Sequence, residues 1–538
     1  MTFIIRFHIS LLVLSLLTGC STSTSKTESK KKPNIIVILT DQERYPMHWP
    51  EEWAEKHLVS SERLKKHGMT FHKAYTAASE CTPSRAVLVT SEHYPINRVP
   101  ITPSTTGLPS ADELMDIGAL LKEHTDYEVV WKGKWHLTPP LDGGFNWSEK
   151  DIANIQKRYD LYKWNPPDAG NAILELEVSD SGETFNGLST LGGGYANNDF
   201  RYLHGSSKTT EKETPGWGEG ALEYLKKIGA QDTNSRKPFC LFISLVNPHD
   251  VWVYPTAWEK AGYKKEDFVD MGIDLPTNYE DDLSTKPSVQ LKAREAYNKI
   301  APFENELSKR EYVNFYAYLH KQVDIHIETI LDALDQAGLT EDTIIIRTAD
   351  HGELGLSHGM REKSYTIYEE MIHIPLIVSN PRLFPKAQST DALYSHLDLL
   401  PTLAELAGVP NFAQYGKGVS IVPILKNSKE SVQDSILFTY DDNFFLSENV
   451  AGGHIRAIVQ GDFRYAVYYS ENGSNFEYEM YNLKDDPEEL HNLLHNNISS
   501  KINKKALQLH LDLKEKIDQA QALPSGFPWP TKPVYKAN

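Results

Sequence analysis

Cysteine is nearly absent from this sequence: 538 residues hold three, Cys20, Cys81 and Cys240. That excludes the disulfide framework that staples small secreted domains, and one bridge is the most the chain could form. Long apolar runs are missing beyond the N-terminus, where no stretch approaches the roughly 20 residues of a membrane-spanning helix. Positive charge is also in deficit, with 55 Lys and Arg against 73 Asp and Glu, a formal net charge of −18. A field of that sign disfavours nucleic acid and anionic lipid as partners, so a polyanionic substrate would need a local cationic pocket. What is present is an ordinary globular composition, 40% hydrophobic and 24% charged. The length suits one large core and a smaller appended unit.

The first twenty residues carry a basic Arg6, an apolar stretch from Ile9 to Leu17, and then Leu17-Thr18-Gly19-Cys20. Residues 1–19 read as an export signal. Their end resembles the bacterial lipoprotein box, which implies lipidation of Cys20 and attachment to the cell envelope through that anchor alone. An ordinary secretory signal with a chance cysteine is the alternative. Residues 20–32 are Ser/Thr/Lys-rich without apolar periodicity and are expected to form a flexible tether.

From Asn34 onward, short β-branched runs alternate with helical patterns, the signature of an α/β protein with a mainly parallel sheet covered on both faces. Ile35–Leu39 ends in Thr40-Asp41; Tyr127–Trp131 runs into Lys132-Gly133-Lys134-Trp135-His136; Phe239–Val246 runs into Asn247-Pro248-His249; Thr343–Ile346 leads to Asp350-His351. Ligands in open α/β sheets sit outside the carboxyl ends of strands, so these four ends are expected to converge on one site. Tyr312, Phe315, Tyr316, Leu319, Val323, Ile327 and Ile330 form the stripe of a long amphipathic core helix. Cys240, inside an apolar strand, reads as a small buried hydrophobe. Residues 33–432 are taken as the catalytic domain and 433–538 as a smaller antiparallel-sheet subdomain with terminal helices. The strands expected in the latter are Ile436–Thr439, His454–Ile458 and Phe463–Tyr469.

Cys81-Thr82-Pro83-Ser84-Arg85 stands directly ahead of the apolar helical run Ala86–Thr90. A group there meets free backbone N–H donors and the positive end of a helix dipole, which suits an anionic nucleophile and an anionic ester. A buried capping cysteine, or a Cys81–Cys240 disulfide, is the competing reading of these residues alone.

The Cys-x-Pro-Ser-Arg segment resembles the signature of the formylglycine-dependent, type I sulfatases of the alkaline phosphatase superfamily. The likeness extends in order through Gly133–His136, Pro248-His249, Thr348–Glu353 and Tyr481–Pro487. It implies an alkaline phosphatase-like fold, a mixed but mainly parallel sheet sandwiched by helices. It also implies that a sulfatase-maturing enzyme reads Cys81, Pro83 and Arg85 and oxidises Cys81 to an aldehyde. The hydrate of that aldehyde carries two hydroxyls on one carbon: one can attack sulfur, and the second can then expel sulfate by regenerating the aldehyde. The implied metal set is Asp41, Gln42, Asp350, His351 and residue 81, around one divalent cation, Ca²⁺ in preference to Mg²⁺. Arg85 and Lys134 are implied to position the hydrate, His136 to take its proton, and His249 and Lys363 to hold the departing oxygen. The chain departs from the family pattern at Gln42, where many members have Asp, and at His351, where many have Asn. Ser91 and Thr138 replace glycines that members often carry.

The expected activity is therefore hydrolysis of sulfate esters. A phosphonate monoester or phosphodiester hydrolase of the same superfamily is one alternative. A non-catalytic envelope lipoprotein that binds sulfated glycans is another, opposed by the intact set of reactive residues. Sulfated polysaccharide or glycosaminoglycan oligosaccharides are the expected substrate. The insert from Gly143 to Lys237, rich in Gly, Asn, Tyr and Trp, is a candidate source of sugar-binding loops.

Overall fold

The structure is a computed structural model that describes residues 32–102, 107–143, 148–164, 199, 202–205, 218–259, 261, 263–442, 450–470, 472–496 and 498–533. Residues 1–31, where an export signal and tether are expected, and much of the 143–237 insert lie outside the described residues. Pro33–Asn538 form one compact unit.

Seven strands make the main sheet: β1 Asn34–Asp41, β2 Gly68–Tyr75, β3 Glu128–Gly133, β4 Phe239–Pro248, β5 Thr343–Ala349, β6 Leu376–Ser379 and β7 Gln388–Ser395, in the order β3-β4-β1-β5-β6-β2-β7. β1 is central and parallel to both neighbours, with Ile35 opposite Cys240 on one side and Ile344 on the other. The short β6 runs antiparallel to β5 and β2, so the sheet is mixed and mainly parallel, as expected.

The strands are apolar on both sides because the sheet separates two cores, and their period-two alternation sorts residues between them. Ile35, Val37 and Leu39 of β1 join Trp131, Phe242 and Ile346 in a core that includes Ala86, Leu88 and Val89 of the Cys81–Thr90 helix and Leu400 and Leu403 of the Leu399–Ala407 helix. Ile36 and Ile38 face the other way, toward Val323, Ile327 and Ile330 of the Glu306–Gln336 helix. The stripe of that helix is core, as its spacing indicates. Each such side chain contributes roughly 1.5–3 kcal/mol through burial, which holds the central strands on both faces.

A second sheet, β8 Ser435–Tyr440, β9 His454–Gln460, β10 Phe463–Tyr469 and β11 Phe476–Asn482, is antiparallel in the order β11-β10-β9-β8. One face carries Phe438, Ile455, Ala457 and Tyr468 against Tyr365, Ile367, Tyr368 and Met371, the segment that follows Lys363. The other face packs Val467, Tyr469 and Met480 on Ala506, Leu509 and Leu513 of the Ser500–Ala520 helix. The small sheet therefore buttresses the loop that bears Lys363. Among the described residues no helix is long and apolar enough to cross a membrane.

Candidate active site

The four parallel strands β3, β4, β1 and β5 lie side by side, and their carboxyl ends bring Lys134 and His136, His249, Asp41 and Gln42, and Asp350 and His351 to one region. Each chain leaves its strand abruptly. Gly133 turns at φ +100°, where a Cβ would come within 2.1 Å of the Ser244 carbonyl oxygen, so only glycine fits between β3 and β4. Gly352, just past β5, would place a Cβ 2.1 Å from the Glu370 carbonyl oxygen. Gln42 and His136 take left-handed backbone angles, φ 62° and 58°. For non-glycine residues such angles persist only where surrounding contacts impose them. At Gln42 those contacts are explicit: its N–H donates to Asp350 Oδ1 at 3.0 Å and its carbonyl accepts from the Tyr316 hydroxyl at 2.7 Å.

Cys81 is the first residue of the Cys81–Thr90 helix and is buried at its N-terminal end. Cys81 and Cys240 are both free thiols, so the disulfide alternative is set aside and Cys240 is the buried strand residue its setting suggested. One turn further on, Arg85 spreads its guanidinium across the strand ends. Nε donates to Asp350 Oδ2 at 2.9 Å, Nη2 to Asp41 Oδ2 at 2.8 Å, and Nη1 to the Lys134 carbonyl and Ser244 Oγ at 3.0 and 2.9 Å. Lys134 Nζ is 2.6 Å from Asp41 Oδ2. Asp41 Oδ2 is thus taken by two cations, which leaves Oδ1 facing Cys81 Sγ at 3.5 Å. His351 Nε2 lies 3.1 Å from the same sulfur, and its Nδ1 is 2.9 Å from the Gly352 carbonyl. Only an Nδ1–H can donate to that carbonyl, so the neutral ring presents a lone pair at Nε2.

The electrostatics follow from this packing. Burial works to raise the Asp41 carboxyl, but Lys134, His249 and Arg85 together hold it well below the usual carboxylate range. Burial and the negative charge of Asp41 push Asp350 up. Burial opposes protonation of His351, yet Asp350 and Cys81 outweigh it and carry the imidazole up to about 9, so by itself the ring is an imidazolium near pH 7, and a cation would take its Nε2 lone pair only in exchange for that proton. Burial first, then Lys134 and Arg85, hold His136 well below the normal histidine value. Burial, then Lys363 and Lys134, do the same to His249. Both histidines are therefore neutral near pH 7. His249 Nδ1 is buried with no hydrogen-bond partner among the described residues. Lys363 Nζ donates to Gln42 Oε1, while its own carbonyl accepts from Ser79 Oγ at 2.8 Å, which ties this loop to the segment preceding Cys81.

All the residues singled out in the sequence for catalysis and metal binding are thus gathered at the carboxyl ends of the central strands and the start of one helix. Donor atoms of Asp41, Cys81, Asp350 and His351 lie within 4.8 Å of one another, all buried. Two carboxylates, an amide oxygen at Gln42 and one imidazole lone pair make a set that suits a single divalent cation preferring oxygen. Ser84 of the Cys-x-Pro-Ser-Arg segment donates its Oγ proton to the Asp350 carbonyl at 2.6 Å, while other participants carry little signal in the sequence: Ser244 on Arg85, and Glu353 and Glu362 on the amide of Gln42. Glu353 is visible only as part of the Thr348–Glu353 stretch; Ser244 and Glu362 give no local signal, because only the packing of distant segments brings them here.

A model of the Sulfatase family matches residues 33–409, and one described as "N-sulphoglucosamine sulphohydrolase, C-terminal" matches residues 356–519. A Delta 4,5-hexuronate-2-O-sulfatase of Bacteroides thetaiotaomicron is 23% identical over 493 residues, 90% of this chain and 89% of that protein. A solved structure described as bound to its substrate D-glucosamine-2-N,6-O-disulfate superposes with a TM-score of 0.63 at 19% identity, covering 91% of this chain and 98% of the other. The phosphonate monoester hydrolase of Agrobacterium radiobacter superposes with a TM-score of 0.62 at 18% identity, covering 91% and 96%. The fold is common to both chemistries and does not choose between them.

Proposed function

The chain belongs to the sulfatase family, a family of sulfuric ester hydrolases, and on that premise we propose that it desulfates glycosaminoglycan-type oligosaccharides through a formylglycine made from Cys81. The observation that carries this reading is the setting of Cys81. It stands at a helix N-terminus, beside the donor atoms of Asp41, Asp350 and His351, with Arg85 and Lys134 bonded to those carboxylates. A thiol used only for packing needs no such company.

In this reading Asp41, Gln42, Asp350 and His351 would hold one divalent cation, with Ca²⁺ favoured by the oxygen-rich donors. The ion's contribution, when bound, is to acidify a hydroxyl on residue 81 and draw charge from the sulfate oxygens. The protein's own groups do the rest. Arg85 fixes Asp41 and Asp350 and, with Lys134, lends the site positive charge. His136, neutral and buried, is competent to take the proton of a residue-81 hydrate hydroxyl as it attacks sulfur. The S–O bond to the sugar breaks, and the leaving oxygen takes a proton from the His249–Lys363 side. The second hydroxyl then gives its proton to His249, left neutral once the leaving oxygen is protonated, the carbon–oxygen bond to the sulfate group breaks, the aldehyde reforms and sulfate departs. His249 starts neutral, so it serves first as an N–H donor; the negative charge of the arriving ester favours its protonation.

Glycosaminoglycan-type substrates are supported by what the hexuronate-2-O-sulfatase and the glucosamine disulfate complex are described as acting on and binding, and by the description of the C-terminal family model. Export and anchoring through Cys20, and maturation of Cys81 by a sulfatase-maturing enzyme, complete the proposal. The competing phosphonate monoester reading rests on the near-equal superposition of the Agrobacterium enzyme. Parallel assays on aryl sulfate and aryl phosphonate monoester decide between them, with the sulfate expected to be hydrolysed faster; the reverse order would favour the competitor.

A sharper expectation attaches to the leaving-group side. An alkoxide needs a proton to depart and a nitrophenolate hardly does, so a general acid matters in proportion to how poor the leaving group is. His249→Ala should slow sugar-sulfate hydrolysis on the order of 10²–10⁴-fold and nitrophenyl sulfate far less. Lys363→Ala should show the same bias more weakly. Equal losses on both substrates would reassign these residues to sulfate binding.

A further inference from the structure

The amide of Gln42 is held from both ends by groups that leave it one orientation. Its Nε2 donates to Glu353 Oε2 and, at 3.3 Å, to Glu362 Oε2, while its Oε1 accepts from Lys363 Nζ. A carboxylate can only accept and an ammonium can only donate. The flipped amide would set its oxygen against the Glu353 carboxylate and its NH₂ against a cation, so the surroundings alone assign the oxygen to the side of the Lys363 ammonium.

Glu353 is itself fixed. It is fully buried, and its other oxygen, Oε1, accepts from the Tyr312 hydroxyl at 2.8 Å, from Gly355 N–H at 3.0 Å and from Glu362 N–H at 2.8 Å. Three donors converge on Oε1, so Oε2 faces Gln42 and nothing in that network lets the carboxylate turn away. We propose that Glu353, assisted by Glu362, is the positioning residue that aims the Gln42 oxygen at the cation site, and that position 42 carries a neutral amide because two carboxylates already stand behind it. This deepens the reading of Gln42 as an oxygen ligand and rests on it.

The arrangement makes an unusual demand. Adding a carboxylate ligand would ordinarily strengthen a hard-cation site. Gln42→Glu should do the opposite here, since one of its oxygens would meet Glu353 and Glu362. Glu353→Gln inverts the network without removing a heavy atom: the three donors at Oε1 require an oxygen, so the new NH₂ faces Gln42 and turns its amide round. The exchange Gln42→Glu with Glu353→Gln restores donor to acceptor at position 353 and again presents an oxygen to Lys363 and the cation, leaving only the longer 3.3 Å contact with Glu362 unfavourable.

The test uses the full-length protein stripped with chelator, titrated with calcium chloride by calorimetry, together with thermal unfolding in chelator. Glu353→Gln and Gln42→Glu should each weaken calcium binding on the order of 10- to 100-fold, the usual cost of losing an outer-shell partner. The double exchange should recover most of the affinity that either single change loses. A merely structural role for Glu353 would not be rescued by a change at position 42. Wild-type affinity in either single variant, or a double variant no better than Glu353→Gln, would overturn the proposal. If the wild-type protein takes up neither calcium nor magnesium, the ion reading falls and the clamp is judged in chelator alone. There, a lowered unfolding temperature in Glu353→Gln that the double exchange reverses supports the clamp, and no reversal refutes it.

Discussion

Cys81→Ala protein should fold like the parent and release no measurable sulfate from any ester. Deleting a covalent nucleophile removes the route itself and not a stabilising contact, and losses on the order of 10⁶ in kcat are the scale for such deletions. The structural cost should be small. Cys81 is buried at the start of a helix whose Ala86, Leu88 and Val89 face the core, and none of that packing depends on its sulfur. Loss of one small buried atom costs about 1 kcal/mol. Sulfate release by ion chromatography, beside a thermal melt, separates the two effects. Residual turnover within tenfold of wild type would remove residue 81 from the chemistry.

Asp350→Asn should be nearly as damaging for a different reason. The Asp350 carboxylate accepts from the backbone of Gln42 and His351 through Oδ1 and from Arg85 through Oδ2. Asparagine keeps an oxygen for the two backbone donors, so the turn after β1 should survive, but the negative charge that balances Arg85 and a cation is gone. Activity should fall by several orders of magnitude, and the rise in unfolding temperature that calcium gives the wild type should vanish. That rise reflects an ion bound only by the folded state, worth about 2.7 kcal/mol when its concentration is 100 times Kd. Asp350→Ala should lose stability as well, since unpairing a buried ion pair costs about 3–5 kcal/mol. Calcium stabilisation preserved in Asp350→Asn would contradict the assignment of Asp350 as a ligand.

Much of the central sheet is legible in the amino-acid sequence. Strands buried on both faces announce themselves as unbroken β-branched runs, so β1, β4 and β5 can be placed to within a few residues, as can the long helix with its apolar stripe. The polar residues at the strand ends can be grouped because parallel topology sends all those ends to one side. The edge side of the sheet is not legible. β6 has four residues, and β2 mixes Gly68, Thr70, His72 and Lys73 with apolar positions, so neither carries a clean period; both exist because tertiary pairing supplies what local pattern lacks. β11 is likewise hidden, since Glu477 and Glu479 alternate with Tyr478 and Met480 and only the small sheet makes both faces useful.

The site divides in the same way. Asp41, Cys81, Arg85, Lys134, His136, His249, Asp350, His351 and Lys363 stand out through motif and family resemblance, and the fold gathers them. The departures at Gln42 and His351 look like weaknesses in the sequence. In the structure each has a local reason: Gln42 sits between Lys363 and two carboxylates, and His351 is oriented by the Gly352 carbonyl. The partners of Gln42 lie hundreds of positions away in the chain and leave no trace in a short window.

The most direct test of the central claim is peptide mass spectrometry of residue 81 in protein co-expressed with a sulfatase-maturing enzyme, with sulfate release measured on the same samples. An aldehyde is expected at position 81, its fraction scaling with specific activity across preparations matured to different extents. Full specific activity from protein that carries an unmodified Cys81 thiol would contradict it.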